Sequence, residues 1–386
     1  MHNHLLSTLL MLSIFRKCYT LNMSAKNTAA AATTSSNGLT NTASDKTGAY
    51  KRNASKYRNI ISATNLDFPP EPERYHLHIA LACPWACGVL AMLKLKGLSH
   101  VISYSVVHPT WGKTKPNDAS DQHYGWVYKK PGDEPVTNPI GFGSFPCDDS
   151  LIPDEFTGAA SVREVFEMGA GVGVPGPFTT PLLFDKKTNT IVNNESTEIL
   201  RMLNAAFNDS GLAQKPLLDL YPSDLEEELN ELNSSIVYPK VNNGVYRCGF
   251  AKSQKAYDAA VAELFDSLEV LEEKLGTQRF LGGDGSRFTW LDLRLFMTLV
   301  RFDPVYVTYF KTNKKRIATD YPNLLGFVRD VYAMEGIGEC INMNHIKTHY
   351  FTSHPDLNKF GIIPVYDGPD LEVASGRNEM FETTKE

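Results

Sequence analysis

The sequence predicts an α/β domain followed by an all-helical domain, on two observations. Residues 76–204 alternate short apolar strands with amphipathic helices in the order β-α-β, then β-β-α. From about Ser223 onward the apolar repeats have helical spacing. The length of 386 residues suits two domains and a tail, at about 100–200 residues per domain. Hydrophobic residues make up 42% and charged residues 21%, an ordinary globular balance that excludes wholesale disorder. A net charge of -6 argues against nucleic acid or an anionic membrane as the main partner.

The leader covers residues 1–46. Its apolar run from Leu5 to Phe15 is too short to span a bilayer. Arg16 and Lys17 follow the run, the wrong order for a secretory signal, and no acidic residue appears before Asp45. Two readings stay open: a weak organelle presequence, or a second start at Met23 with a cytosolic leader. A cytoplasmic protein is expected, and a mitochondrial one if translation starts at Met1. Residues 24–46 are rich in Ala, Thr, Ser and Asn and are expected to be disordered.

The first domain is expected over 47–207. His76 to Leu81 alternates as a strand. Val89, Leu90, Leu93 and Leu95 form a helical stripe that ends at Gly97. Val101 to Val107 is a second strand. Residues 180–184 and 190–192 flank a polar turn as a hairpin, and a helix follows from Glu195 to about Asn204. That order is thioredoxin-like. Residues 108–175 form an insertion far longer than an ordinary connection, expected to be a flap or a dimer element. It contains a literal G-x-G-x-x-G, Gly171 to Gly176. The motif follows a helical segment, Val162 to Met168, and opens no helix, so dinucleotide binding is rejected.

Cys83-Pro84 is the central feature. Proline suits the first helical position, where its missing N–H costs nothing. Cys83 then falls at the N-cap, its sulfur facing the free amides of Trp85 and Ala86. Those donors and the helix dipole favour a thiolate, the nucleophilic form. The alternative is an inert buried cap. Cys87 lacks the two-residue spacing of dithiol motifs. It is either a resolving thiol or a buried mid-helix residue, with burial favoured. The remaining cysteines, 18, 147, 248 and 340, are scattered without metal-ligand spacing. A zinc site and a disulfide scaffold are not expected; free thiols in a reducing compartment are.

Thr180-Pro181 opens the third strand. A cis bond there would turn the Thr180 backbone towards Cys83, where it could pair with an extended peptide; a plain edge proline is the alternative. Glu195-Ser196 begins a helix. Glu195 could take an ammonium and Ser196 a carboxylate, together an amino-acid headgroup. Equally, Ser196 could simply cap the helix.

The helical domain is expected over 208–367 and a frayed tail over 368–386. Leu225, Leu229 and Leu232 form one stripe. Ala256, Ala260, Leu264, Leu268 and Leu271 form another, closed by Gly276. Thr289 to Asp292 reads as a capping box, and Phe327, Val331 and Met334 suggest a further helix. Tyr238, Tyr246 and Tyr350 are candidates for an aromatic substrate wall, since a phenol can bond a polar substrate atom while its ring packs on the substrate.

Several segments carry a family resemblance: RYHLHIALACPWACGVLAMLKLKGL, HYGWVYKKPGDEP, TTPLLFDKKTNTIVNNESTEILRMLN, YPKVNNGVYRCGFA and TWLDLRLFMTLVRFDPVYVTYFKTN. Over about Gly48 to Pro364 the chain resembles the glutathionyl-hydroquinone reductases. These are the Xi-class, omega-like glutathione transferases. The resemblance implies the two-domain glutathione transferase fold, glutathione as co-substrate, no metal, and a homodimer. It implies Cys83 as the catalytic cysteine and Trp126 beside glutathione. It implies Thr180, before cis-Pro181, on the glutathione backbone, and Glu195 and Ser196 on the γ-glutamyl group. Tyr246 and Tyr350 correspond to pocket tyrosines of relatives; Tyr238 is held more loosely.

Two departures matter. Many relatives have CPWAHR where this chain has CPWACG. Many also carry a basic residue four before the cis-proline, where this chain has Pro177.

The expected activity is removal of glutathione from glutathionyl-hydroquinones through a Cys83–glutathione mixed disulfide. Dehydroascorbate or small mixed disulfides would be reduced by the same chemistry. The other reading is a regulatory or assembly module on the same fold, kept open by Pro177. A flavin or nicotinamide quinone reductase has no motif behind it.

Overall fold

The computed structural model describes residues 44–382, which lie in one compact unit. Most of the expected leader falls outside the described residues. Its last residues are tied down: Ser44 bridges to Tyr50, and Asp45 accepts from the Thr47 and Ala49 amides.

Four strands build the main sheet: β1 (Tyr75–Ile79), β2 (Ser103–Val106), β5 (Leu182–Asp185) and β6 (Thr190–Asn193), in the order β2-β1-β5-β6. β1 is parallel to β2 and antiparallel to β5, and β5 pairs antiparallel with β6. Between them, β3 (Gly112–Lys113) and β4 (Tyr124–Gly125) form a small separate pair inside the long insertion.

The alternation in β1 sorts its side chains to two faces. Tyr75, Leu77 and Ile79 enter a core with α1 (Pro84–Leu95) and α3 (Ser196–Ala205). Ala80, Leu182, Phe184 and Ile191 face a second cluster with α2 (Val162–Ala170) and Trp126. So the insertion packs on the sheet face away from α1. Gly97, at φ +65°, ends the α1 segment in the left-handed region. The sequence expectations for these elements hold to within a few residues. The Gly171 to Gly176 segment follows α2, as expected, and leads into loop rather than helix.

The rest is helical: α4 (Glu226–Leu232), α5 (Gly244–Gly249), α6 (Gln254–Thr277), α7 (Trp290–Leu299), α8 (Val307–Tyr309), α9 (Ile317–Asp320), α10 (Pro322–Tyr332), α11 (Met343–Thr352) and α12 (Arg377–Glu382). Two widened π-helical stretches, Asn233–Asn242 and Phe302–Tyr306, interrupt the α-helical run. Both contain a proline, whose missing N–H breaks the ordinary ladder. The box at Thr289 forms: Asp292 accepts from the Thr289 amide (2.9 Å) and hydroxyl (2.6 Å).

The α/β half and the helical half share one apolar core, in which Val89 and Met92 of α1 join Phe296 and Met297 of α7. The far end of the chain is anchored where a free tail was expected. Arg377 is buried and its Nη2 donates to the carbonyls of Gln278 (2.8 Å) and Arg279 (2.9 Å). Among the described residues no helix is long and apolar enough to cross a membrane.

Candidate active site

Cys83 is the N-cap of α1, with extended backbone (φ -78°, ψ 119°) and Pro84 at the first helical position. Helix geometry leaves the amides of Trp85 and Ala86 without an intrahelical acceptor. The sequence reading pointed the sulfur at those amides. Instead it makes no cap hydrogen bond, and Sγ donates to the Thr180 carbonyl at 3.4 Å. Thr180-Pro181 is cis, and the Thr180 backbone reaches the cysteine as expected.

Beneath the cysteine loop lies Arg301, fully buried. It donates to the carbonyls of Ala82 (3.2 Å), Leu81 (3.3 Å) and Met297 (2.6 Å), and to Cys87 Sγ (3.1 Å). Cys87 itself donates to the Leu81 carbonyl at 2.9 Å, and burial pushes its thiol up to about 11. It belongs to the interior of α1, the favoured of its two readings.

Glu195, rather than Ser196, caps α3, accepting from the Thr197 amide at 3.3 Å. Its other oxygen accepts from Ser55 Oγ at 3.0 Å. Ser196 is therefore the first helical residue, with its amide free of an intrahelical acceptor. Glu195 and Ser196 open onto a cavity of about 260 Å³ shared with Trp85, Tyr238, Arg52 and Arg294. So the structure sets Tyr238 beside the headgroup residues, with its ring 6.0 Å from Trp85.

The other two tyrosines come together. Tyr246 and Tyr350 share a hydrogen bond of 2.6 Å, and Tyr306 reaches Tyr350 at 3.1 Å. Burial holds all three phenols above their ordinary range, so they stay protonated. Trp126 is buried and stacks on His349, the residue before Tyr350, at 4.4 Å. Cys83 packs against the cluster that contains Trp126.

Residues 82–206 match the glutathione S-transferase N-terminal domain, and residues 254–330 its C-terminal domain. The chain is 43% identical to glutathionyl-hydroquinone reductase YqjG of Escherichia coli, over 86% of this chain and 94% of that protein. The chain belongs to the glutathionyl-hydroquinone reductase family. Its fold follows that of solved Xi-class members. The glutathione S-transferase Xi of Phanerochaete chrysosporium superposes with a TM-score of 0.73 at 43% identity, over 83% of this chain and 100% of that one. The glutathione-bound YqjG structure gives 0.71 at 42%, over 84% and 97%.

Within this family the chain lacks a cation at Pro177, and the structure brings one to the same loop. Lys56 Nζ donates to the carbonyls of Pro175 (3.1 Å) and Gly176 (3.3 Å). Sequence reasoning missed Lys56, Arg52, Arg294, Arg301 and Tyr306. Lys56 and Arg52 lie on a polar stretch with no periodicity to flag them. Arg294 and Arg301 had a usable signal: each is a charge inside or next to an otherwise apolar helical run.

A metal was not expected. His76, His78 and Asp154 do meet behind the sheet, with ligand atoms within 4.8 Å of one another. Their polar contacts are largely filled by protein. Ser103 and Ser105 bond both nitrogens of His76 at 2.7 Å, Tyr128 bonds His78 Nδ1 at 2.6 Å, and Asp154 accepts from two amides of its own turn.

Proposed function

We propose that the protein removes glutathione from glutathionyl-hydroquinones, with Cys83 as its one working cysteine. The observation that carries this is the seat of Cys83: a helix-start cysteine whose Sγ lies 3.4 Å from the carbonyl of Thr180, the residue before cis-Pro181. The names of the family's members support the substrate class.

The Cys83 thiolate attacks the glutathione sulfur of the substrate. An S–S bond forms and the sulfur–aryl carbon bond breaks. The released carbon takes a proton, leaving free hydroquinone and a Cys83–glutathione mixed disulfide. A second glutathione thiolate attacks that disulfide, releases oxidised glutathione and restores Cys83. Tyr246 and Tyr350, kept neutral by burial, are suited to hydrogen-bond the hydroquinone oxygens and supply the proton. Glutathione lies with its backbone on Thr180, its γ-glutamyl end at Glu195 and Ser196, and Trp126 beside it. Lys56 brings positive charge to the loop of Pro177, where the glycine carboxylate needs it.

The reading includes a homodimer. An exposed apolar patch supports it: Ile140 and Phe142 of the insertion beside Phe360, the two phenylalanine rings 4.9 Å apart. Sedimentation equilibrium showing only monomer would remove that part.

Turnover of a glutathionyl-hydroquinone by the parent and by Cys83→Ser tests the reaction. The parent is expected to release hydroquinone and oxidised glutathione, and the variant to fall to background. Equal rates would return the protein to the regulatory-module reading.

A further inference from the structure

We propose that residues 47–58 form a strap across the active-site cavity, tied at both ends and held between them by side chains alone, which lifts to admit the glutathionyl substrate and closes over it. This deepens the function proposed above and rests on it.

One end is tied to the helical half. The Lys252 amide donates to the Gly48 carbonyl at 2.9 Å, and Ser253 Oγ donates to the Thr47 carbonyl at 2.8 Å. Gly48 has φ +85°, and a side chain there would meet the Lys252 and Ser253 backbone at 3.1 Å, so the tie needs a glycine. Tyr50 packs on Phe250, ring centres 5.6 Å apart, and Phe250 stacks on the pocket phenol Tyr246. The other end joins the edge of the main sheet. The Tyr57 amide donates to Asn194 Oδ1 at 3.1 Å, and the Asn194 amide donates back to the Tyr57 carbonyl at 3.1 Å. The Asn59 amide donates to the Val192 carbonyl of β6 at 3.0 Å.

The stretch between these ties is held differently. Residues 51–54 are exposed, and among the described residues no backbone group of 51–56 is hydrogen-bonded. Three side chains hold it down. The Arg52 guanidinium lies 4.7 Å from the Trp85 ring centre, and Arg52 lines the cavity with Trp85, Glu195 and Tyr238. Ser55 Oγ donates to Glu195 Oε2 at 3.0 Å. Lys56 Nζ donates to the Pro175 and Gly176 carbonyls. Contacts of this kind are weak one by one, and a segment without a backbone ladder opens locally while its ends stay in place.

All three contacts end on the proposed glutathione groove. Trp85 is two residues from Cys83, Glu195 begins α3, and Gly176 precedes Pro177. A tripeptide running from Thr180 to Glu195 therefore lies beneath the strap. Glutathione is a net anion, while Arg52 and Lys56 are cations, so bound glutathione favours the closed position.

The test is trypsin cleavage after Lys51 and Arg52, read by mass spectrometry, with cleavage after exposed Lys359 as the internal reference. Cutting tracks the population of the lifted strap. Loading Cys83 with glutathione, by exposure to oxidised glutathione, should slow the cut by about tenfold. In the free protein, Arg52→Ala (read at Lys51) and Ser55→Ala should each speed it by about threefold to tenfold. A cut that runs at one rate with and without the adduct, and that neither substitution changes, overturns the strap; an adduct found on Cys83 in the same sample leaves the proposed reaction standing. Absence of any adduct on Cys83 removes the proposed reaction, and the free-protein rates of the two variants still decide the strap.

Discussion

In the proposed reaction, single side chains divide the chemistry between one sulfur and a chain of phenols. Cys83 donates to Thr180 while protonated, and loss of that proton removes the reason for the contact. The amides of Trp85 and Ala86 are then the unsatisfied donors nearest in sequence. On the far side, Tyr350 links Tyr246 to Tyr306 through hydrogen bonds of 2.6 and 3.1 Å. If this chain delivers the proton to the departing aryl carbon, Tyr350→Phe lowers kcat by about a hundredfold with little change in KM for glutathione. Steady-state kinetics of the folded variant decides it; an unchanged kcat removes the phenols from the proton step. The cysteine was legible in the sequence because Cys-Pro at a strand-to-helix junction is a local pattern. Tyr306 was not: it closes the stretch Phe302–Tyr306 while its partner Tyr350 lies on α11, and nothing in its neighbours announces a phenol contact.

Elements position these residues through buried polar ties. Arg301, two residues past α7, clamps the turn between β1 and α1 by bonding Leu81 and Ala82, and it holds α7 through Met297. Arg301→Met keeps much of the volume but strands the Ala82 and Met297 carbonyls, at about 1–3 kcal/mol each, and leaves the Leu81 carbonyl with Cys87 alone. We expect at least about 3 kcal/mol lost in urea unfolding, and turnover reduced with it. A loss too small to measure would mean that the turn holds its shape unaided. The strands and most helices were readable because their periods are local: β1 alternates, and Thr289 with Asp292 marks the start of α7. The insertion was readable only in part. Its β3 and β4 are two residues each, too short to carry a period. The π-helical stretch Asn233–Asn242 shares its apolar spacing with ordinary helix, and the widening follows from packing.

For the whole molecule, buried neutral histidines set the response to acid. Burial holds His76 at about 4, against the pull of Asp154, and it holds His354 at about 4. His78 and His349 are held well below their ordinary value by the same cause. An unfolded histidine takes up its proton near 6.5. Between 6.5 and about 4 the unfolded chain therefore binds protons that the folded chain refuses, and stability falls as pH falls. Asp292 works the other way, since burial raises it to about 6 and the folded state gains its proton first. Burial raises Asp303 too, but it also lowers His108, His123 and His345, and two carboxyls do not offset seven histidines. Melting temperatures should drop steadily from pH 6.5 to 4; a flat profile would mean that these rings are charged or exposed in the folded state. The two halves also share one apolar core, which the two-domain pattern of the sequence did not indicate. Domain periodicity records local faces, and says little about whether those faces meet.

The most direct measurement is the intact mass of the protein after brief exposure to oxidised glutathione, followed by peptide mapping. One glutathione per chain, carried on Cys83 and removed by reduced glutathione, is the predicted result. An unmodified Cys83, or an adduct that settles on another cysteine, would contradict a single exchanging sulfur at the start of α1.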